Sequence, residues 1–298
     1  MIPILFICVG FIIAILWVDL KFDWLAVPYR GKPGILPEDV LAPMTYFYRY
    51  VTGKPIVLGT MFLLVLLTLI LEIAQASVPA WVAWTSLVLF AVAVVRSTIL
   101  VIPSARRFGR RTDTLEEQTR LAHALLGMHL FAFVLVVLMG AIQLYATASM
   151  QMNMVVFIAL GFVAGIVWIN VKFDWLAVPY RGKPELLPEE VLAPITLFHR
   201  YLRSAVQLAL AMVIILISLI LEIALNSVPS WVAWVSLVLF GVTMFRAILL
   251  VIPSGRRLAT RVDSLEKQTS LAHALLPMHL FALGVTVILG GLQLYGYM

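Results

Sequence analysis

Eight long apolar runs constrain the fold of this chain more than any other feature. Each run is close to the ~20 residues that a helix needs to cross the hydrocarbon core of a bilayer. We therefore predict an all-α integral membrane protein with eight transmembrane helices, at Ile2–Val18, Ile56–Ile73, Trp81–Leu100, His123–Leu144, Val155–Ile169, Val206–Ile223, Trp231–Val251 and Leu271–Leu294.

The composition agrees with this interpretation. Of the 298 residues, 63% are hydrophobic and 12% are charged, whereas a soluble domain has about 45–50% apolar and about 25% charged residues. The first run has no basic residue before Lys21, so it lacks the basic stretch that opens a signal peptide, and we expect a retained first helix. A single cysteine, Cys8, excludes an intrachain disulfide and any cysteine-based metal or iron–sulfur motif.

The stretch "KFDWLAVPYRGKP" occurs twice, at residues 21–33 and 172–184. Further matches follow at an offset of 150 residues, such as Glu72 with Glu222 and Arg96 with Arg246. This pattern predicts a tandem duplication, with four-helix repeats at 1–148 and 149–298. Because four helices return the chain to the side where it started, we expect parallel repeats related by a pseudo-two-fold axis along the membrane normal.

The distribution of the basic residues predicts how the chain is oriented in the membrane. Of the 21 Lys and Arg residues, 19 lie in the loops and flanks on the side where the first helix ends. Positively charged loops stay in the cytoplasm, so we predict a bacterial inner-membrane protein with both termini outside the cytoplasm. The net charge of +6 is spread along membrane-flanking loops, which argues against nucleic acid as a partner. The bilayer and other subunits of a membrane complex remain as expected partners.

Two segments on the side with the basic residues have sequences that predict their local structure. Residues 36–51, "LPEDVLAPMTYFYRYV", predict a short helix lying in the membrane interface, broken near Pro43, with its tyrosines at headgroup level. Thr114 and Glu117 form a capping box, so the fourth helix is expected to begin near residue 115 and to extend beyond the bilayer core.

Ionisable residues within the apolar runs cost roughly 2.5–3.5 kcal/mol each on insertion scales and mark candidate sites. On the basic side we predict one polar pocket per repeat, in which Arg96 either pairs with Asp19 or Asp23 or helps to bind a ligand. In the second repeat Asn170 replaces Asp19, which leaves Asp174 for Arg246. The candidate residues of these pockets are Asp19, Asp23, Arg96, His123, His129, Asp174, Arg246, His273 and His279.

A second set of polar residues lies at the opposite side. Glu72 and Glu222 are one turn from the outer ends of their helices, and Gln143 and Gln293 end the fourth helix of each repeat there. We expect carboxylates that reach water and accept hydrogen bonds from these glutamines. The alternative is an entry point for a cation or a proton.

Cofactor and enzyme chemistry have little support in the sequence. His123 and His129 are six residues apart, about 240° around a helix, so they do not share a face for a metal ion. A haem held by one histidine from each repeat stays an alternative, and otherwise no cofactor is expected. The chain has no glycine-rich phosphate loop, no GxSxG and no clustered carboxylates, which argues against an enzyme.

The motifs resemble those of a group of small, uncharacterised bacterial membrane proteins that have four helices in about half the length of this chain. The resemblance rests on "WVDLKFD", "LPEDVLAPMTYFYRYVTG", "VIPSARRFGRRTDTLEEQTRLAHALLGMHL" and "LQLY". It implies that single units pair as homodimers and that this chain is a covalent version of such a pair. It implies no activity.

From all of these features we expect a non-enzymatic accessory or scaffolding subunit of a membrane complex, or a binder of a lipophilic ligand. Two alternatives remain. The first is a small transporter or channel that uses the intramembrane Glu and Arg residues. The second is a redox protein that binds haem or quinone.

Overall fold

The computed structural model describes residues 2–53, 56–147, 151–183, 186–202 and 206–297. Within these ranges the chain forms helices and short connections and no strand. Eight of the helices found there are long and apolar enough to cross a membrane. The prediction of an all-helical protein with eight candidate membrane spans is therefore confirmed.

The chain divides into two compact units, Met1–Met154 and Val155–Met298. The division lies near the predicted joint, and the tandem duplication itself stays a prediction. The elements before the joint are α1 (Ile2–Asp23), a 3₁₀ segment (Trp24–Tyr29), α2 (Glu38–Val51), α3 (Ile56–Gln75), α4 (Ala80–Arg96), a π-helical segment (Ser97–Val101), α5 (Ile102–Arg110) and α6 (Leu115–Ala146).

The elements that follow have the same order. They are α7 (Gln151–Asp174), a 3₁₀ segment (Trp175–Tyr180), α8 (Glu189–Leu202), α9 (Val206–Leu225), α10 (Ser230–Arg246), a π-helical segment (Ala247–Val251), α11 (Ile252–Thr260) and α12 (Leu265–Tyr297).

The start of α6 follows from its capping residue. The hydroxyl of Thr114 accepts a hydrogen bond from the backbone N–H of Glu117 at 3.3 Å, as the capping box predicts. In the second unit Ser264 caps α12 in the same way, at 3.4 Å from the N–H of Lys267. The 32 residues of α6 span roughly 48 Å, more than the ~30 Å of a bilayer core. The helix is therefore longer than the bilayer core, as expected.

The helix α2 differs from its prediction in two ways. It continues through Pro43, because a proline in the second turn loses only the hydrogen bond to the carbonyl of Asp39, near the exposed start of the helix. Its apolar face is also buried within the protein instead of lying on lipid. Tyr48 is only 1% exposed, so this tyrosine contacts protein and is not available to lipid headgroups. The buried face consists of Val40, Leu41, Met44, Phe47 and Tyr48.

Polar contacts fasten α2 to α5. The guanidinium of Arg49 donates to the carbonyl of Gly109 at 3.1 Å, and Nη1 of Arg111 donates to Oε1 of Glu38 at 2.7 Å. The hydrogen bond from Arg111 lowers the pKa of the Glu38 carboxyl. The second unit repeats both contacts, with Arg200 on the carbonyl of Ala259 at 3.2 Å and Arg261 on Glu189 at 2.7 Å.

An apolar core fills the middle of each unit. In the first unit it joins side chains of α1, α3, α4 and α6, namely Leu5, Cys8, Val9, Ile12, Val65, Leu69, Phe90, Ala93, Val136 and Met139. In the second unit the corresponding core contains Val156, Ala159, Leu160, Val163, Val167, Ala211, Ile215, Leu219, Phe240, Val285 and Leu289. In a bilayer the hydrophobic effect adds little to such packing, because lipid tails are as apolar as these side chains, and close van der Waals contact joins the helices instead. The polar residues of each unit lie at its two ends.

Candidate functional site

A buried hydrogen-bond network lies at the basic end of the first unit. Asp23, the last residue of α1, is 0% exposed. The phenol of Tyr48 donates to its Oδ1 at 2.6 Å, and Nδ1 of His129 lies 2.7 Å from its Oδ2. Nε2 of His129 faces the second carboxylate, Asp19, at 3.9 Å. We call these four residues the first aspartate centre.

Three helices bring this centre together. Asp19 and Asp23 are one turn apart on α1, while α2 and α6 supply the two rings. The rings of Tyr48 and His129 are nearly parallel, with an interplanar angle of 6° and centroids 5.8 Å apart. Apolar aromatic packing beside them fixes the position of α2 against α1, since the centroids of Phe22 and Phe47 are 4.1 Å apart.

The chemistry of the centre is that of a closed network. An ionised carboxylate can only accept hydrogen bonds, so Asp23 takes one from the phenol and one from the imidazole. Burial, followed by the charges of Asp23 and Asp19, raises the pKa of the Tyr48 phenol well above its ordinary value. The phenol therefore keeps its proton and acts as a donor.

The second unit has an equivalent centre with different partners. Asp174 is fully buried, and Nδ1 of His279 lies 2.5 Å from its Oδ2. Nε2 of His199 lies 3.5 Å from Oδ1 of Asp174, and both of these atoms lack a hydrogen-bond partner. The amide of Asn170 donates to the carbonyl of Ile166 at 2.8 Å.

Two aligned substitutions account for the difference. His199 stands where the first unit has Tyr48, and Asn170 stands where it has Asp19. The exchange of one carboxylate for an amide makes the second centre less negative, and an imidazole takes the place of the neutral phenol. Sequence reasoning missed Tyr48 and His199 as members of the centres. The alignment of the two halves contained the signal, because polar differences between otherwise similar segments coincide in space.

His199→Tyr is expected to stabilise the second unit. A phenol at this position can donate to the unpartnered Oδ1 of Asp174, as Tyr48 does to Asp23 in the first unit. A net hydrogen bond contributes about 0.5–1.5 kcal/mol, which should raise the denaturation midpoint in detergent. Tyr48→His is the matched control and should lower the midpoint by a similar amount. A lower midpoint for His199→Tyr would show that the unpartnered oxygen does not limit stability.

Arg96 does not join the first aspartate centre. Its guanidinium carbon lies 4.5 Å from the ring centroid of Phe131, and its side chain is exposed on the surface of the unit. No carboxylate among the described residues lies within ion-pair distance of it. The predicted ion pair with Asp19 or Asp23 is therefore wrong, because Arg96 lies on the outer surface of the unit beside Phe131 while both carboxylates are buried.

Arg246 of the second unit and the histidines His123 and His273 also stay outside the aspartate centres. The guanidinium carbon of Arg246 lies 4.4 Å from the ring centroid of Phe281, and the predicted pair with Asp174 is not formed within the described ranges. His123 and His273 are half-buried. Each lies six residues before the histidine of its centre, and no hydrogen bond among the described residues joins them to it.

A second polar cluster lies at the opposite end of each unit. Nε2 of Gln143 donates to Oε2 of Glu72 at 2.9 Å and to Oγ of Ser86 at 3.0 Å. In the second unit Gln293 makes the same bonds to Glu222 at 3.0 Å and to Ser236 at 3.2 Å. The predicted glutamine–glutamate hydrogen bonds are thus confirmed, while the two serines were missed.

The carboxylates of these outer clusters do not reach water. Glu72 is 0% exposed, because α3, α4 and α6 enclose its side chain, and Glu222 is buried in the same way. The expectation of solvated carboxylates is wrong. Oε1 of each glutamate has no hydrogen-bond partner, and neither has Oε1 of Gln143, so unused acceptors remain in both clusters.

The part of the chain that the structure describes contains no group of three or more His, Cys, Asp or Glu side chains arranged to hold a metal ion. Comparisons with protein families, with curated proteins and with solved structures find no match for this chain. Inferences about function therefore rest on the geometry of the two units.

Proposed function

We propose that the chain is a non-enzymatic multipass protein of a bacterial inner membrane, formed by two parallel four-helix repeats related by a pseudo-two-fold axis, and that it serves as an accessory or scaffolding subunit of a membrane complex. One observation carries this proposal. Each unit presents the same short segment on its basic side, residues 24–32 in the first unit and 175–183 in the second. We call these segments the platforms.

The buried aspartates hold the platforms in place. The first platform follows Asp23 directly, and Ala26 within it is buried. Backbone N–H groups close its turns, from Arg30 to the carbonyl of Val27 at 3.0 Å and from Lys32 to that of Tyr29 at 3.1 Å. The second platform repeats these bonds at 3.1 Å and 3.3 Å. Each platform is therefore a fixed surface and not a loose loop.

The residues that point away from each unit favour docking of a partner. Trp24 is 62% exposed and Trp175 is 56% exposed, so neither ring is needed to pack its own unit. Arg30 and Lys32 are exposed on the same platform as Trp24, and tryptophan and arginine are among the residues most enriched in binding hot spots. An exposed aromatic ring and two exposed cations on one short segment suit an acidic segment of another membrane protein.

The alternatives have less support from the geometry. Conduction through a single unit needs polar groups along its length, but His129 and Gln143 are separated by roughly 21 Å of α6 beside the apolar core. A haem iron would bind Nε2 of His129, but this nitrogen faces Asp19 at 3.9 Å and the imidazole is buried. Both observations favour a scaffold over a channel or a redox protein.

Photo-crosslinking in native membranes tests the docking proposal. A photoreactive amino acid in place of Trp24 or Trp175 should crosslink to one discrete membrane protein. The control has the same photoreactive amino acid in place of Trp84, which is exposed near the start of α4. This position should not crosslink to a protein. If the platform positions crosslink only to lipid, as the control does, the tryptophans are interface anchors and the docking proposal fails.

Reporter fusions test the orientation that the proposal assumes. A reporter that is active only outside the cytoplasm should be active when fused after Met298 and silent when fused after Arg110, because the basic loops stay inside. The control is the same pair of fusions with a reporter that is active only in the cytoplasm, which should give the opposite result. The reverse pattern would place the platforms outside.

A further inference from the structure

We propose that the groove beside Arg96 binds an acidic phospholipid, with the lipid phosphate on the guanidinium and an acyl chain along the groove. The site goes beyond the scaffolding function, and it uses the arginine that the aspartate centre does not. The groove has a volume of about 490 Å³ and is lined by Val92, Val95, Arg96, Ile99, Leu100 and Phe131. Its other walls are thus aliphatic or aromatic, which matches a hydrocarbon chain.

The guanidinium of Arg96 pairs with no carboxylate among the residues of its unit that the structure describes. One face lies against Phe131, with the guanidinium carbon 4.5 Å from the ring centroid. No hydrogen bond or ion pair from its N–H groups is formed within the described residues. A guanidinium has five N–H donors in a planar fork that fits two phosphate oxygens. Stacking on a ring leaves the edge of this fork free for such an anion.

The depth of Arg96 matches the level of the phosphate groups. Exposed Trp81 and Trp84 mark the interface at the start of α4. Counted from Ala80, a ~30 Å core takes about 20 residues and ends near residue 100. Arg96 then lies about 6 Å inside the boundary on the basic side, a distance that an arginine side chain spans by extending towards the interface.

The second unit repeats the key features. Arg246 stacks on Phe281 with its guanidinium carbon 4.4 Å from the ring centroid, and exposed Trp231 and Trp234 begin α10. A π-helical segment follows the arginine in both units, Ser97–Val101 and Ala247–Val251, and such segments are frequent at functional sites. Three lining residues differ, since Gly241, Phe245 and Leu249 replace Ala91, Val95 and Ile99. We therefore expect one lipid per unit, with weaker binding in the second unit, where the bulky Phe245 stands next to the arginine.

A lipid fits this groove better than a helix of another protein. The guanidinium and the apolar walls lie side by side, which matches the covalent link between a phosphate and an acyl chain in one molecule. The anion must also arrive at the depth where the lipid phosphates already lie. An acidic lipid is preferred over a zwitterionic one because it carries no ammonium group to oppose the guanidinium.

Native mass spectrometry of the purified full chain tests the proposal. The purified protein in detergent is incubated with phosphatidylglycerol or with phosphatidylcholine of the same acyl chains. The detergent is then removed during the measurement. We expect up to two retained phosphatidylglycerol molecules and weak retention of phosphatidylcholine. Arg96→Gln and Arg246→Gln should each remove one molecule, with affinity falling about tenfold or more, and the double variant should retain neither. Arg96→Lys should bind less well than wild type, because an ammonium lacks the planar fork.

The controls separate this site from general surface charge and from the platforms. Arg106→Gln removes an exposed arginine outside the groove and should leave both lipids bound. Trp24→Ala with Trp175→Ala should also leave the lipid count unchanged, so failure of the docking proposal does not affect this test. Equal retention of both lipids, or unchanged retention in the double arginine variant, would overturn the proposal. Binding of an added transmembrane peptide with a central glutamate, in place of lipid, would do the same.

Discussion

Replacing Asp23 with alanine is expected to lower the unfolding free energy of the first unit by about 3–5 kcal/mol, because removal of one partner leaves the others buried and unpaired. His129 and Tyr48 share this carboxylate as their acceptor at 2.7 Å and 2.6 Å. Asp174→Ala should destabilise the second unit through His279. Denaturation midpoints in detergent measure both effects, and the double variant should be close to the sum of the two.

Limited proteolysis gives a second readout of the same variants. Trypsin should cut the first platform at Arg30 and Lys32 faster in Asp23→Ala, since the platform follows the lost anchor directly. Asp19→Asn is the matched control, because Asn170 already fills that position in the second unit, and it should change the midpoint little. If the double aspartate variant keeps its stability and protease resistance but loses the platform crosslink, the aspartates act in docking and not as anchors.

The sequence predicts well those features that depend on distance along the chain. Eight apolar runs of span length, and a capping box before Leu115, were enough to place the spans and the start of α6. The pairing of Gln143 with Glu72 was also predictable. Both residues lie near the same ends of neighbouring apolar helices, and a buried amide and a carboxylate have few other partners there.

Features that depend on direction around a helix were not predictable in this way. Counting residues gave the depth of Arg96 along α4 but not the side of the helix on which it lies. In the structure Arg96 lies on the outer surface of the unit, beside Phe131. The apolar face of α2 was recognised, but the same pattern fits burial against lipid and burial against protein. Tyr48 was therefore placed at the membrane interface, whereas its phenol completes the aspartate centre.

Gly109→Ala is expected to cost the first unit about 3 kcal/mol through the contact between α2 and α5. An added Cβ would lie 2.6 Å from the backbone nitrogen of Arg49 and 2.9 Å from the carbonyl carbon of Tyr48. Backbone atoms cannot yield as a flexible side chain does, so the two helices must separate. Overpacking of this kind costs typically 1–3 kcal/mol, and displacement of Tyr48 from Asp23 costs about 1 kcal/mol more.

The second unit provides the control for this glycine. Ala259 occupies the aligned position, and Gly255 stands where the first unit has Ala105. The glycine of α11 therefore lies four residues earlier than the glycine of α5 does. Ala259→Gly should therefore cost only about 1 kcal/mol, the difference in helix propensity. Combining Gly109→Ala with Ala105→Gly moves the glycine to the position that it has in the second unit and should recover part of the lost stability. An unchanged midpoint for Gly109→Ala alone would mean that α2 is not held against α5, and that the platform and its aspartate centre are less rigid than their hydrogen bonds indicate.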